Sequence, residues 1–248
     1  GTFEPLAGDP LPLSLFTAER VDYSLQRLSH YTGTAPHHFQ RFVLFTNYQR
    51  YVDEFIEYGI DQVENGSEYR AFVAPGNVTI TNPELTNETA GGQAPRHLPQ
   101  MPAYHLVRGR HEGITLVNIG VGPSNAKTIT DHIAVLRPHC WLMVGHCGGL
   151  RRTQRLGDYV LAHAYVREDH VLDEDISPSV PLPAIAEIQV ALTEAVAKAS
   201  NINNQSTPAH SNPNLAQADS EADLSDVIDE DDDEAEDTEL FIYWNEKH

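Results

Sequence analysis

Ile114-Thr-Leu-Val-Asn-Ile-Gly-Val-Gly-Pro-Ser-Asn-Ala-Lys-Thr-Ile-Thr-Asp-His-Ile-Ala-Val-Leu136, followed after Arg137-Pro-His139 by Cys140-Trp-Leu-Met-Val-Gly-His-Cys-Gly-Gly149, is the stretch on which the fold turns. Ile114 to Ile119 is a short apolar run of strand type, and Gly120 to Asn125 is a Gly/Pro loop. Ala126 to Leu136 carries helical spacing and stops at Arg137-Pro138, because the residue before a proline avoids helical backbone. Cys140 to Val144 reads as a second, buried strand. Strand, helix and strand at this spacing predict a βαβ unit, and hence a sheet with parallel strands.

Outward from this unit, Tyr104 to Val107 reads as a strand joined to Ile114–Ile119 by the turn Arg108-Gly-Arg-His-Glu-Gly113. Tyr159 to Val166 is a further strand and Ala184 to Ala199 a helix. The first 74 residues are aromatic-rich and helical in pattern. Glu19 to His30 sets Val21, Leu25 and Leu28 on one face, and Phe39 to Tyr58 reads as one longer helix that Gly59 stops. Residues 75–100 hold Pro75, Gly76, Pro83, Gly91, Gly92, Pro95 and Pro99, the composition of a linker or an extended crossing segment.

Of 248 residues, 36 are acidic and 16 are Lys or Arg, a net charge of −20. Asn201 to His248 alone carries 14 acidic side chains and one basic, including the unbroken run Asp229 to Asp233. A segment so charged and so poor in apolar residues is expected to be a disordered tail, closed by the apolar patch Phe241-Ile-Tyr-Trp244. The overall charge disfavours nucleic acid as a partner. No apolar run of about 18 residues offers a membrane span. The chain begins at Gly1 without a secretory signal, so a cytoplasmic protein is expected and the four Asn-x-Ser/Thr sequons are taken as chance. Cys140 and Cys147 allow one disulfide at most, and no His or Cys spacing fits a zinc site.

Two loops carry the candidate chemistry. In Gly120-Val-Gly-Pro-Ser-Asn125 the glycines let backbone approach a ligand, and the helix that follows offers unpaired N–H groups. It is not a dinucleotide fingerprint, because Asn125 stands where glycine is required and no acid follows at the right distance. Nor does Lys127 have the glycine spacing of a Walker loop. The second loop, Gly145-His-Cys-Gly-Gly149, lies at the carboxyl end of the neighbouring strand, where open α/β sheets bind ligands. Gly148 and Gly149 would let a planar base lie on backbone, and His146 suits either contact with a hydroxyl or phosphate or the place of a hydrogen-bonded structural histidine. Arg151, Arg152 and Arg155 form a basic cluster beside it that suits either a phosphate or a solvated turn.

Asn118-Ile-Gly-Val-Gly-Pro-Ser-Asn-Ala126, Leu136-Arg-Pro138, Val144-Gly-His-Cys-Gly-Gly-Leu150 and Gly157-Asp-Tyr-Val-Leu161 resemble the nucleoside phosphorylase and nucleosidase superfamily. Met101-Pro-Ala-Tyr-His105, His163-Ala-Tyr-Val-Arg-Glu-Asp-His170 and Arg41-Phe-Val-Leu-Phe-Thr-Asn-Tyr48 resemble its AMP nucleosidase branch, over about Pro12 to Ala197. The resemblance implies an α/β protein in three parts. Residues 1–99 would be a helix-rich α+β N-terminal domain with linker. Residues 100–200 would be the first half of a phosphorylase-like catalytic domain with a mostly parallel sheet, and residues 201–248 the acidic tail.

The implied reaction is hydrolysis of AMP to adenine and ribose 5-phosphate by a homo-oligomer needing no cofactor or metal. Gly120, Gly122, Ser124 and Asn125 would line the anion or nucleophile site, and His146, Cys147, Gly148 and Gly149 would approach nucleophile and base. The family's Met-Glu pair for ribose has no match, since Met101 and Met143 are not followed by Glu, and Ser225-Asp226 lies in the tail. The catalytic residues are therefore unassigned, and the catalytic domain is expected to be truncated. Phosphorolysis of a nucleoside, or nucleotide binding without catalysis, remain the alternatives.

Overall fold

The computed structural model describes residues 15–87, 89–147, 159–168, 170, 173–206 and 238–243. At its centre three parallel strands lie in the order β5-β1-β6: β1 is Phe42–Thr46, β5 Ile114–Asn118 and β6 Cys140–Cys147. The helix between β5 and β6, α3 (Pro123–Ile133), is extended by a 3-10 turn at Ala134–Leu136. The βαβ unit read from sequence is therefore present, but its two strands do not pair with each other, because β1 lies between them.

β1 corrects the expected helix over Phe39 to Tyr58. Its residues Phe42-Val-Leu-Phe-Thr46 are followed by a separate helix, α2 (Gln49–Glu64). A strand covered on both faces is apolar at successive positions and does not show the alternation of a half-exposed one. Gly59 does not stop α2. It lies inside the helix because Phe72 packs on it, so close that a Cβ there would stand 2.5 Å from Phe72 Cδ2. The first helix agrees with its expected span: α1 (Ala18–Thr32) starts at Thr17, whose hydroxyl accepts from the Arg20 N–H, and ends at Gly33.

On the β5 side the sheet continues antiparallel through β4 (Ala103–Val107), β2 (Ala71–Ala74) and β3 (Val78–Thr81). The hairpin β4–β5 turns at residues 108–113, as expected. The Pro/Gly-rich stretch is thus not all linker, since it supplies the edge strand β3. The expected boundary at 99/100 does not divide the sheet, because β1, β2 and β3 come from before it. On the β6 side β10 (Thr238–Tyr243) runs antiparallel to β6 and parallel to β7 (Tyr159–Leu161). The expected strand Tyr159–Val166 is two pieces, with β8 (Ala164–Tyr165) paired to β9 (Leu182–Pro183) in a small second sheet. The sheet is mixed, parallel at its centre, in keeping with the α/β class.

Two stretches of the expected acidic tail are ordered elements. Helix α4 (Ala186–Ser206) runs past residue 200, and Thr238–Tyr243 is strand β10. Phe241-Ile-Tyr243 has the aromatic and β-branched character that suits a strand. Residues 207–237 lie outside the described residues.

The core forms two layers, one on each sheet face. Val21 and Leu28 of α1 and Ile129 and Ile133 of α3 pack on Val43, Phe45, Ala103, Val117 and Trp141. On the other face Val52, Phe55 and Val63 of α2 pack on Phe72, Tyr104, Leu106 and Leu116. Neighbours along one strand, such as Leu116 and Val117, therefore face opposite layers, as the pleat requires. Full burial of each large side chain contributes roughly 1.5–3 kcal/mol. Among the described residues no helix is long and apolar enough to cross a membrane.

Candidate functional site

The parallel strands end level, with Thr46 of β1 opposite Asn118 of β5. The N–H of Ile119 donates to the Thr46 carbonyl at 2.8 Å and ties the two ends together. From there the chain leaves in opposite directions. After β1 it enters α2 on one face of the sheet, and after β5 it enters α3 on the other. Adjacent parallel strands whose connections diverge in this way leave a crevice at their carboxyl ends, the place where open α/β sheets bind ligands.

The β5–α3 loop forms one lip. Asn118 Oδ1 accepts from the Gly120 N–H at 3.0 Å, and the Asn125 side-chain amide donates to the Val121 carbonyl at 3.2 Å. The loop is thus held by its own asparagines. Gly120 and Gly122 have φ of +63° and +102°, which glycine adopts without strain and other residues do not. Gly122 precedes the first turn of α3 without a capping side chain, and Pro123 at the first helical position has no N–H. The first turn therefore presents the partial positive charge of its free N–H groups without competition from a capping hydroxyl. Val121, 83% exposed, and Ser124 stand at the rim. A Cβ on Gly122 would meet nothing within 4 Å, so space is open there.

The other side is built from the end of β6. His146 is half-buried, with Tyr48 at 4.2 Å between ring centroids and Tyr51 at 5.2 Å in an edge contact. Tyr48 is the N-cap of α2 and Tyr51 lies in its first turn, so the β1–α2 junction packs against the imidazole. Cys147 follows, half-buried. It stands at the opposite end of β6 from Cys140, which rules out a disulfide between the two. Gly145 lies under the β1–α2 connection: a Cβ there would come 3.5 Å from Tyr48 Cε2 and 3.8 Å from Asn47 Oδ1.

Gly120, Gly122, Ser124, Asn125, His146 and Cys147 thus occupy one sheet edge. Gly148, Gly149 and the Arg151, Arg152 and Arg155 cluster lie outside the described residues. The two groups are not neighbours, because β1 and its exit, Asn47-Tyr48, stand between them. Asn47, Tyr48 and Tyr51, which pack against Gly145 and His146, are the candidate-site neighbours that sequence reasoning missed. The signal was available in Thr46-Asn-Tyr48, a polar step closing the apolar run Phe42–Phe45 before a helical pattern begins. Met101 and Met143 belong to the packed layer beneath α1 and α3. Among the described residues no cluster of His, Cys, Asp and Glu could hold a metal ion.

A Gly-x-Gly lip after β5, strand ends that diverge at β1/β5 and a histidine near the end of β6 define an α/β protein whose candidate site lies at the carboxyl edge of its parallel strands. Residues 83–238 match the phosphorylase superfamily, and the chain belongs to that family. Within it, the chain is 59% identical over 185 residues to the AMP nucleosidase of Escherichia coli (strain K12), an alignment covering 74% of this chain and 38% of that protein. It is 23% identical over 152 residues to the uridine phosphorylase of Thermococcus kodakarensis, covering 58% of this chain and 55% of the relative. Among solved structures, AMP nucleosidase from Bacteroides thetaiotaomicron superposes with a TM-score of 0.53 at 23% identity, over 73% of this chain and 64% of that one. That likeness concerns the fold. The chain spans well under half the length of the AMP nucleosidase it matches.

Proposed function

We propose that this chain acts as an AMP nucleosidase, hydrolysing the N-glycosidic bond of AMP to adenine and ribose 5-phosphate. The observation that carries the reading is the 59% identity to an AMP nucleosidase across 185 residues. The crevice supports it chemically. Breaking the bond builds positive charge on the ribose and negative charge on the leaving purine, and it requires water held in line below the sugar. Gly120, Gly122 and the first-turn N–H groups at Ser124 and Asn125 suit the anionic end of the nucleotide or the nucleophile. His146 and Cys147, with Gly148 and Gly149 beyond them, suit the ribose and base side. Tyr48 and Tyr51 act as positioning residues for His146.

No Met-Glu pair and no described Ser-Asp pair stands at this edge, so we assign substrate placement, rather than proton donation, to the residues named. AMP and water are the reactants in this reading, with no cofactor, and the protein works as a homo-oligomer in the cytoplasm.

The test is chromatographic detection of adenine from AMP, with adenosine plus phosphate as the control, alongside calorimetric titration of AMP. The reading requires AMP to bind more tightly than adenosine, and adenine to appear from AMP alone. Phosphorolysis of adenosine outpacing hydrolysis of AMP would overturn it. So would a folded chain that neither binds AMP nor releases adenine.

A further inference from the structure

At the edge of the sheet opposite the crevice, three connections converge: the α2–β2 loop, the turn after β3 and the β4–β5 turn. They enclose an open cavity of about 580 Å³ lined by Ser67, Glu68, Arg70, Leu85, Arg108 and Arg110, with Gly109 and Glu112 at the turn. That volume lies within the range of sites for small ligands, about 300–1,000 Å³. Its composition is unusual for this chain. Three of only 16 basic side chains meet here in a protein of net charge −20. Arg108 pairs loosely with Glu68, at 3.4 Å with both side chains well exposed. Among the described residues no carboxylate pairs with Arg70 or Arg110.

The turn that carries Arg108 and Arg110 is held from below. Gln40, fully buried, accepts through Oε1 from the N–H of Arg108 at 3.3 Å and of Gly113 at 3.2 Å. Its side-chain amide donates to the His38 carbonyl at 2.7 Å. The Arg41 N–H donates to the His111 carbonyl at 2.8 Å. Within this frame Arg110 and His111 take φ of +58° and +57°. Two successive non-glycine residues in the left-handed region are strained, and such strain persists where the surroundings enforce it, often at ligand sites. Arg70 lies across the turn, its guanidinium 3.3 Å from where a Gly109 Cβ would stand. The three arginines thus line one cavity on a rigid scaffold together with Glu68 and Glu112, and of the three only Arg108 has a carboxylate within ion-pair distance among the described residues.

We infer that this cavity is a second ligand site, separate from the crevice, which takes a small phosphorylated compound. Arg70 and Arg110, with Arg108, bind the phosphoryl oxygens, as guanidinium forks do. Ser67, Glu68 and Glu112 accept from or donate to hydroxyl groups on the ligand body, and Leu85 covers its apolar side. The length of β5, roughly 16 Å at the strand rise, separates the two sites.

The whole chain is titrated calorimetrically with glucose 6-phosphate, a sugar phosphate that is neither reactant nor product of the proposed reaction, and with inorganic phosphate. Wild type, Arg70→Ala/Arg110→Ala, Arg110→Glu and His146→Ala are compared, each checked for folding by circular dichroism. Saturable binding of the sugar phosphate should weaken by about tenfold or more in both arginine variants and stay unchanged in His146→Ala. Adenine release from AMP, where present, should persist in the arginine variants. Equal affinity in wild type and arginine variants would overturn the inference, as would no saturable binding at millimolar ligand. Loss confined to His146→Ala would move the ligand to the crevice, overturning this site while leaving the proposed function intact. Inorganic phosphate binding as tightly as the sugar phosphate would overturn the assigned ligand class.

Discussion

The two edges of the central sheet hold their loops in opposite ways. At the carboxyl edge the β5–α3 loop is braced by Asn118 and Asn125 of its own sequence, has open space around Gly122 and exposes Val121. At the amino edge the β4–β5 turn is pinned by a buried side chain from elsewhere in the chain, Gln40. Behind that turn a buried polar chain continues inward. Thr32 Oγ1 donates to the Leu28 carbonyl at 2.7 Å, which leaves it to accept from Thr34 Oγ1 at 3.0 Å. Thr34 Oγ1 must then accept from His105 Nε2 at 2.8 Å, so Nδ1 accepts from Thr115 Oγ1 at 2.9 Å, and Thr115 Oγ1 accepts from the Gln40 N–H at 2.8 Å. Every hydrogen in the chain has one direction, and His105 is the neutral Nε2–H tautomer. The carboxyl-edge loop is thus held locally, by its own side chains, whereas the amino-edge turn is tied into the core.

The same substitution at both edges should break this comparison most visibly. Gly113→Ala places a Cβ 2.0 Å from the Leu106 carbonyl oxygen and 2.8 Å from Gln40 Oε1, so backbone must move. We expect a loss of about 3 kcal/mol of stability, read from urea unfolding. His105→Leu should cost about 2 kcal/mol, because it strands the Thr115 donor and removes the donor to Thr34 within a buried network. Unfolding midpoints of the single and double variants would reveal the coupling.

Acid should find the same network. Burial holds His105 well below its ordinary value, with His38 and His37 adding to the effect. Burial, then the charges of His37 and His111, lowers His38 to about 4. The unfolded chain therefore binds these protons more readily than the folded one. The sign follows: stability is full above the unfolded value of about 6.5 and is lost as pH falls from there towards 4. Denaturant midpoints across that window should fall less steeply in His105→Leu than in wild type.

The smallest stability effect is expected at the crevice. Gly122→Ala meets no neighbour but must hold φ at +102°, costing about 1 kcal/mol. Its larger consequence is functional, a weakened AMP titration from a displaced loop. Stability loss with unchanged AMP binding would separate this loop from the ligand.

Much of the fold was legible where contacts are local. The Val21, Leu25 and Leu28 spacing marked α1, and the Arg108–Gly113 turn marked a hairpin whose strands pair in register. Gly120-Val-Gly-Pro placed the lip of the crevice, because a glycine loop ahead of a helix is a local pattern. Apolar Phe42–Phe45, by contrast, reads equally as helix or strand until its partners are known, and those partners lie about 70 and 100 residues away. Tyr48 and Tyr51 were missed with it, since their role depends on where β1 delivers them.

By itself the sequence determined the α/β class, the β5–loop–α3–β6 unit and the glycine loops that point to the phosphorylase superfamily, all of them set by short-range periodicity and turn chemistry. Tertiary structure alone decided that β1 enters between β5 and β6, that the crevice opens where α2 and α3 part to opposite faces, and that His146 is held between two tyrosines. Those outcomes depend on strand pairing across long chain separations, where the gain comes from burying both faces of the sheet at once. No window of local sequence encodes that choice.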